Sequence, residues 1–287
     1  PRSTLMSCRR QRQMCIRDRK ISATGSLDSS ITFLTGCRSR PEFLQLMIRT
    51  AIIILYVLPA TAVFGIIAII VSFFSHSGNP VHIIARTWSK SILFVSGLGV
   101  TVEGLANIDP SQSYIYMSNH RSNFDIPVLL GCLPIQFRWL AKAELFKIPI
   151  FGRAMSAAGY VKIDRSNRVA AFKSLSQVAA KMKNGVSVMI VPEGTRSEDG
   201  DVKPFKKGGF VMAVDTGVPI VPVILRGTRS IMAKGSWRIN PGNVTLSIEK
   251  PIDTTGYTRD TKEDLIKAVR SVICEVFKKE TKFDTSA

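Results

Sequence analysis

An α/β domain with a mixed, substantially parallel sheet flanked by helices, preceded by a membrane-immersed helical hairpin, is the fold class that this 287-residue sequence predicts. Three observations lead there. After residue 100, short apolar runs alternate with helical periodicities. Before it, Ala51 to Phe74 runs for 24 residues without a charge. A formal net charge of +18, from 39 basic and 21 acidic side chains, coexists with 45% hydrophobic residues and a positive mean hydropathy of +0.15. Basic and apolar residues must therefore be segregated along the chain, as they are in proteins that work at an anionic lipid surface.

Residues 1 to 45 read as a basic extension outside the fold. The first twenty, PRSTLMSCRRQRQMCIRDRK, hold seven basic residues and one acid and have no helical or strand period. The stretch QRQMCIRDR reads equally as translated sequencing-adapter sequence and as a genuine basic tail, and no short apolar run with a cleavage site follows it.

Residues 46 to 100 form the membrane-associated segment. As a helix, Ala51 to Phe74 measures roughly 36 Å, longer than the roughly 30 Å hydrocarbon thickness. Pro59 is expected to kink it and Gly78-Asn79-Pro80 to end it. Val81 to Val100 carries Arg86 and Lys90 among Ile83, Ile84, Trp88, Ile92 and Phe94, an amphipathic rather than a spanning pattern. Basic residues lie on both flanks (Arg38, Arg40 and Arg49 before, Arg86 and Lys90 after), so charge asymmetry sets no orientation. A hairpin dipping into one leaflet keeps both flanks cytosolic and is the preferred reading, ahead of a single span and of a buried helix in a soluble protein.

Residues 101 to 287 form the α/β domain. Strands are expected at Tyr114 to Met117, Arg138 to Leu140, Tyr160 to Ile163, Val186 to Val191, Ile220 to Leu225 and Val244 to Ile248. Helices are expected at Asn123 to Cys132, Ile150 to Ala157, Arg168 to Lys183, Lys207 to Asp215 and Asp264 to Lys279. The last places Leu265, Val269, Val272, Ile273 and Val276 on one face, with Thr261 and Asp264 as its capping box. No internal repeat is visible.

Several function classes are disfavoured by composition. The five cysteines, Cys8, Cys15, Cys37, Cys132 and Cys274, make no CxxC pair, and the three histidines make no metal-ligand spacing. A reduced, metal-independent protein without a cofactor is expected. The basic residues are spread through the chain with no nucleic-acid-binding signature, so anionic lipid and phosphorylated substrates account for the charge better than nucleic acid does.

Two segments carry chemistry. The expected strand at Tyr114 runs directly into Ser118-Asn-His-Arg-Ser-Asn-Phe-Asp125 and then an apolar helix. Across such a turn His120 can fold back over Asp125, whose carboxylate would fix the imidazole tautomer and leave the other nitrogen to take a proton from a hydroxyl. The same spacing also fits a plain Ser122/Asp125 capping box with a solvated histidine. The expected strand at Val186 runs into Pro192-Glu193-Gly194-Thr195-Arg196-Ser197, a charged turn where α/β sheets place ligands. Arg196 offers a planar fork for phosphate, and Glu193 can accept from a substrate hydroxyl. Lys203-Pro-Phe-Lys-Lys-Gly-Gly209 adds three cations. An ordinary polar loop is the competing reading of this segment.

Together these residues resemble the 1-acyl-sn-glycerol-3-phosphate acyltransferase family. NHRSNFD at 119 to 125 fits that family's NHxxxxD motif and VPEGTRS at 191 to 197 its EGTR motif. GYVKIDR at 159 to 165 and VPIVPV at 218 to 223 look like two further blocks, in the same order, with Lys162 where the family often has an apolar residue.

The resemblance implies transfer of an acyl group from an acyl thioester, acyl-CoA or acyl carrier protein, to the sn-2 hydroxyl of lysophosphatidic acid, with His120 as general base and Asp125 orienting it. It implies a substrate site of Glu193, Gly194, Thr195 and Arg196, with Arg165 as a second phosphate ligand and Lys142 as a third. It implies a place at the membrane, on the cytoplasmic face of a bacterial inner membrane. The chain has no Gly-x-Ser-x-Gly elbow, which agrees with direct attack rather than an acyl-enzyme. Two readings compete with it: an acyltransferase for another lysophospholipid or a lyso-ornithine lipid, and a non-catalytic membrane-binding protein on the same fold.

Overall fold

In a computed structural model, residues 40–75, 77–164, 166–183, 185–197 and 201–281 are described. The basic extension up to residue 39 and Arg165 lie outside these. A 35-residue helix, α1 (Arg40–Phe74), is followed by α2 (Asn79–Val95), which Gly78 precedes in a left-handed conformation and Pro80 opens. Pro59 lies inside α1, which is helical on both sides of it.

The sheet follows: β1 (Gly99–Glu103), β2 (Ile115–Ser118), β3 (Phe137–Lys142), β4 (Val161–Ile163), β5 (Ser187–Ile190), β6 (Ile220–Arg226) and β7 (Asn243–Ile248). Between its strands run α3 (Asp125–Cys132), α4 (Phe151–Ala157), α5 (Arg168–Lys183), α6 (Gly208–Thr216) and the single turn α7 (Thr228–Ile231), and α8 (Lys262–Thr281) closes the domain. The seven strands stand in the order β1-β7-β6-β2-β5-β3-β4, and every neighbouring pair is parallel except β6 with β7. The expected mixed, mostly parallel sheet is the observed one.

Helices cover both faces of this sheet, and the alternation of side chains along each strand feeds two cores. Tyr116, Phe137, Trp139, Met189, Val223 and Leu246 point to one core, shared with α2, α3 and α4. Ile115, Met117, Val188, Ile190 and Ile224 point to the other, where Phe210 of α6 and Leu265, Val269 and Ile273 of α8 are each fully buried.

Two expectations change. An additional strand, β1, occupies part of the segment assigned to the amphipathic helix, because α2 already ends at Val95 and the alternating exposure of Gly99–Glu103 suits pairing on β7. The Thr261/Asp264 capping box is absent. Since α8 starts at Lys262, the Asp264 amide donates to the Thr261 carbonyl at 3.0 Å, and Thr261 Oγ1 accepts from the Thr258 amide at 2.8 Å.

The geometry of α1 bears on function. Its first third and the turn that follows it both touch the α/β domain: Thr50 Oγ1 accepts from the Ile239 amide at 3.1 Å, and just past the C-terminal end the Ser77 carbonyl accepts from Arg138 Nη2 at 3.1 Å. Thr50 to Phe74 spans about 36 Å of helix. Along it, Leu46, Ile53, Ala60 and Ala68 are buried, while Leu55 is 75% exposed and Phe74 85%. One stripe of α1 lies on protein, Ile54, Tyr56, Val57 and Val71 are half-buried beside it, and the opposite apolar face is exposed among the described residues.

Candidate active site

Strands β2 and β5 are neighbours and parallel, in register Tyr116 with Met189, so their outgoing loops leave the sheet side by side at its carboxyl edge. Both strands are wholly buried. On the other side of β2, parallel β6 delivers a third loop to the same edge.

The loop after β2 is fastened from its first residue. Asn119 is buried; its Nδ2 donates to the Leu225 carbonyl and its Oδ1 accepts from the Leu225 amide, both at 2.8 Å, tying the loop to β6. Ser122 Oγ donates to the Met232 carbonyl at 2.8 Å and accepts from the Phe124 amide at 3.1 Å. Between these anchors stands His120, whose ring Nδ1 lies 2.7 Å from Asp125 Oδ2. The same oxygen accepts the Arg121 amide at 2.7 Å and the Ser122 amide at 2.8 Å. Asp125 sits at the first position of α3, where the helix dipole also favours negative charge.

A carboxylate only accepts, so Nδ1 carries the proton and Nε2 keeps its lone pair. The Asp125 side chain is 2% exposed and that of His120 20%, which leaves the ring reachable while its orienting carboxylate is sealed. Of the capping box only the bond from the Ser122 amide to Asp125 is present, Ser122 Oγ accepting from the Phe124 amide instead, and Asp125 accepts from the backbone and from the imidazole at once.

The loop after β5 turns at Gly194, whose φ of +74° favours glycine. Glu193 is 3% exposed. Its Oε1 accepts from the His120 amide at 2.9 Å and its Oε2 from the Lys203 amide at 3.0 Å. Burial pushes its carboxyl up from the ordinary range, and the two amides work against that shift. The Ser197 amide donates to the His120 carbonyl at 3.0 Å, so the two loops are bonded at both backbone groups of the histidine.

The predicted substrate residues spread around this centre. Arg196 is half-buried and Thr195 exposed. The Arg196 carbonyl receives Lys203 Nζ at 3.4 Å and Lys234 Nζ at 3.5 Å. Lys142, at the carboxyl end of β3, is 54% exposed and paired with Glu144 at 3.1 Å. Arg165 lies outside the described residues.

Three contributors were not singled out from the sequence. Asn119 opens the NHxxxxD motif, which by itself gives it no role; Lys203 is one of three undifferentiated cations; and Lys234, far along the chain, reaches the site because β6 is the neighbour of β2. Arg121, next to His120, sets its guanidinium 4.4 Å above the Phe277 ring of α8.

Two cavities flank the edge. An apolar one of about 110 Å³ lies between α1, α2 and α3 and reaches Ile126, next to Asp125, with Phe64, Trp88, Leu130 and Trp139 in its wall. A larger one of about 430 Å³, on the opposite sheet face, is bounded by Leu140, Ile190, Gly194, Lys206 and Gly208. The edge thus presents an oriented imidazole and cations, with an apolar cavity reaching Ile126 beside them.

Known proteins are similar to this chain. The acyltransferase family matches residues 99–226, which run from β1 to β6 and contain both loops. The chain is 43% identical over 173 residues, 60% of its length, to the chloroplastic 1-acyl-sn-glycerol-3-phosphate acyltransferase LPAT1 of Arabidopsis thaliana, and spans 48% of that protein. It is 34% identical over 196 residues to 1-acyl-sn-glycerol-3-phosphate acyltransferase alpha of Homo sapiens, covering 68% of this chain and 69% of the human one. The chain therefore spans about half the length of the plant relative and over two thirds of the human one. The crystal structure of the 1-acyl-sn-glycerophosphate acyltransferase PlsC from Thermotoga maritima is similar with a TM-score of 0.70 at 31% identity, covering 81% of this chain and 95% of that one. With the fold, the two motif loops and these relatives in agreement, the chain belongs to the 1-acyl-sn-glycerol-3-phosphate acyltransferase family.

Proposed function

We propose that the protein transfers an acyl group from an acyl thioester to the sn-2 hydroxyl of 1-acyl-sn-glycerol-3-phosphate, forming phosphatidic acid. The 2.7 Å contact between His120 Nδ1 and Asp125 Oδ2 carries this reading, because it leaves Nε2 as an acceptor in a partly exposed ring. The substrate hydroxyl donates to Nε2; as its oxygen attacks the thioester carbonyl, the proton passes to the imidazole. Asp125 stabilises the imidazolium so formed. When the tetrahedral intermediate collapses, the carbon–sulfur bond breaks and the thiolate takes that proton. No protein atom is acylated, so donor and acceptor occupy the site together.

Arg196, with Arg165 and Lys142, would hold the acceptor's phosphate, and the Gly194-Thr195 turn presents Arg196 to it. The cations Lys203 and Lys234, which meet the Arg196 carbonyl, add positive charge to the same rim. The donor is acyl-CoA or acyl carrier protein, chemically equivalent at the carbon attacked.

The bilayer supplies the acceptor. The uncovered apolar face of α1, continued by Phe94 of α2 at 86% exposure, suits immersion in lipid. The contacts of Thr50 and of the turn after α1 with the α/β domain support immersion in one leaflet over a crossing helix. The protein would then work at the cytoplasmic membrane face, where anionic lipid attracts its positive charge.

Purified protein incubated with lysophosphatidic acid and a panel of acyl thioesters tests the activity. Release of free thiol that requires lysophosphatidic acid, with phosphatidic acid as product, is expected. Thiol release that ignores the lysolipid would refute the assignment.

A further inference from the structure

We propose that Glu193 is a positioning residue that holds the backbone of His120, and not a ligand of the substrate. The inference rests on the reading of His120 as general base. Glu193 stands where β5 ends, beside the outlet of β2, and its side chain bridges the two outgoing loops. One carboxylate oxygen takes the His120 amide at 2.9 Å and the other takes the Lys203 amide at 3.0 Å. At 3% exposure the carboxylate is closed to an arriving lipid. It is also the wrong charge to face a phosphate.

What the carboxylate does supply is a charge-assisted bond to each of two amides that would otherwise lie unpaired next to the site. With the Ser197 amide on the His120 carbonyl at 3.0 Å, the histidine backbone is held on both sides by the same loop. Asp125 then sets only the ring, while the loop after β5 sets the Cα from which the ring hangs. Separate supports for ring and backbone leave the base little freedom, and a misplacement of about 1 Å at a proton-transfer centre can cost on the order of a hundredfold in rate. The length of the side chain matters as well: adjacent strands lie about 4.8 Å apart, and aspartate, one methylene shorter, cannot keep both amides. This separates the work of the two loop residues, Glu193 acting through His120 and Arg196 remaining free to meet the anion.

The experiment compares Glu193→Gln, His120→Ala and the double variant, with kcat and the KM for each substrate measured separately. Glu193→Gln is expected to lower kcat about ten- to a hundredfold with both KM values within about twofold of the parent. In the His120→Ala background it is expected to change the residual rate by less than about twofold, since a residue that acts through the base has nothing left to act on. A rise of about tenfold in the KM for lysophosphatidic acid at unchanged kcat, or a further tenfold loss in the double variant, would overturn the proposal in favour of a substrate contact. If Glu193→Gln does not fold, Glu193→Asp, which keeps the charge and loses the reach, is held to the same two outcomes. A His120→Ala protein that retains more than about a tenth of the rate refutes the general-base reading itself, and that result is visible before Glu193 is altered.

Discussion

The loops at the carboxyl edge of the sheet and the outer face of α1 treat solvent in opposite ways. In the loops, three buried polar side chains are held by protein: Asn119 bonds twice to Leu225, Asp125 Oδ2 takes three donors, and Glu193 takes two amides, while Asp125 Oδ1 and Ser197 Oγ are buried without a hydrogen bond among the described residues. On α1, large apolar side chains find none, with Leu55 at 75%, Phe73 at 75% and Phe74 at 85% exposure. The other long helix, α8, behaves as a helix in water should, with Leu265, Val269 and Ile273 fully buried. One chain therefore carries two kinds of surface, a polar edge organised by its own hydrogen bonds and an apolar helix face left exposed.

The sharpest test of that contrast is topological. A helix that lies along the α/β domain keeps both its ends on one side of the membrane, whereas a crossing helix separates them. Cysteines placed singly at Glu42 and Ser77, in a background without native cysteines, are expected to react with an impermeant thiol reagent from the cytosolic face of sealed vesicles only. Reaction from opposite faces would break the comparison, because α1 would then cross the bilayer.

At the loops, His120→Ala and Asp125→Ala are each expected to lower turnover at least about a hundredfold while binding of lysophosphatidic acid persists. Thiol release in single turnover checks the rate, and equilibrium binding in detergent checks the affinity. Weakened binding with intact turnover would make this pair part of the anion site.

A smaller effect is expected at Arg196. Lysine keeps the charge but loses the planar fork, so Arg196→Lys should raise the KM for lysophosphatidic acid about tenfold and leave that for the thioester nearly unchanged. Equal changes for both substrates would assign Arg196 a structural role.

The smallest effect concerns the seam between the two regions. His82 of α2 is fully buried, with Nδ1 3.1 Å from Tyr160 Oη and its ring against Phe137. Burial, reinforced by Arg138 and Arg86, pushes its pKa down to about 3. The folded protein thus keeps His82 neutral while the unfolded chain binds a proton below about 6.5, so stability is unaffected above that pH and falls as pH drops toward 3. The slope is at most about 1.4 kcal/mol per pH unit. Denaturant midpoints at pH 7.5 and 5.5 should differ less in His82→Gln than in the parent; an unchanged difference would show that other groups set the acid limit.

How much of this was legible in the sequence follows from how local each cause is. The six expected strands and five expected helices of the α/β domain appear close to their predicted bounds, because hydrophobic period and turn residues act over a few neighbours. The edge strand β1 escaped notice, being short and half-exposed directly behind an apolar helix. His120 with Asp125 was legible because five residues across one turn hold the whole interaction.

Glu193 shows the boundary between the two kinds of information. Its sequence neighbourhood, a charged turn after an apolar run, marks a ligand site, and both of its partners lie outside that turn: His120 is 73 residues before it and Lys203 ten after. Lys234 likewise owes its place to the parallel pairing of β6 with β2. By itself the sequence determined the segregation of charge from apolar surface, the elements and the two motif loops, all set by short-range pattern and composition. Only the tertiary structure decided which strands stand side by side, and hence which loops share a carboxylate and which face of α1 is left exposed, since strand order is fixed by long-range packing that no local pattern encodes.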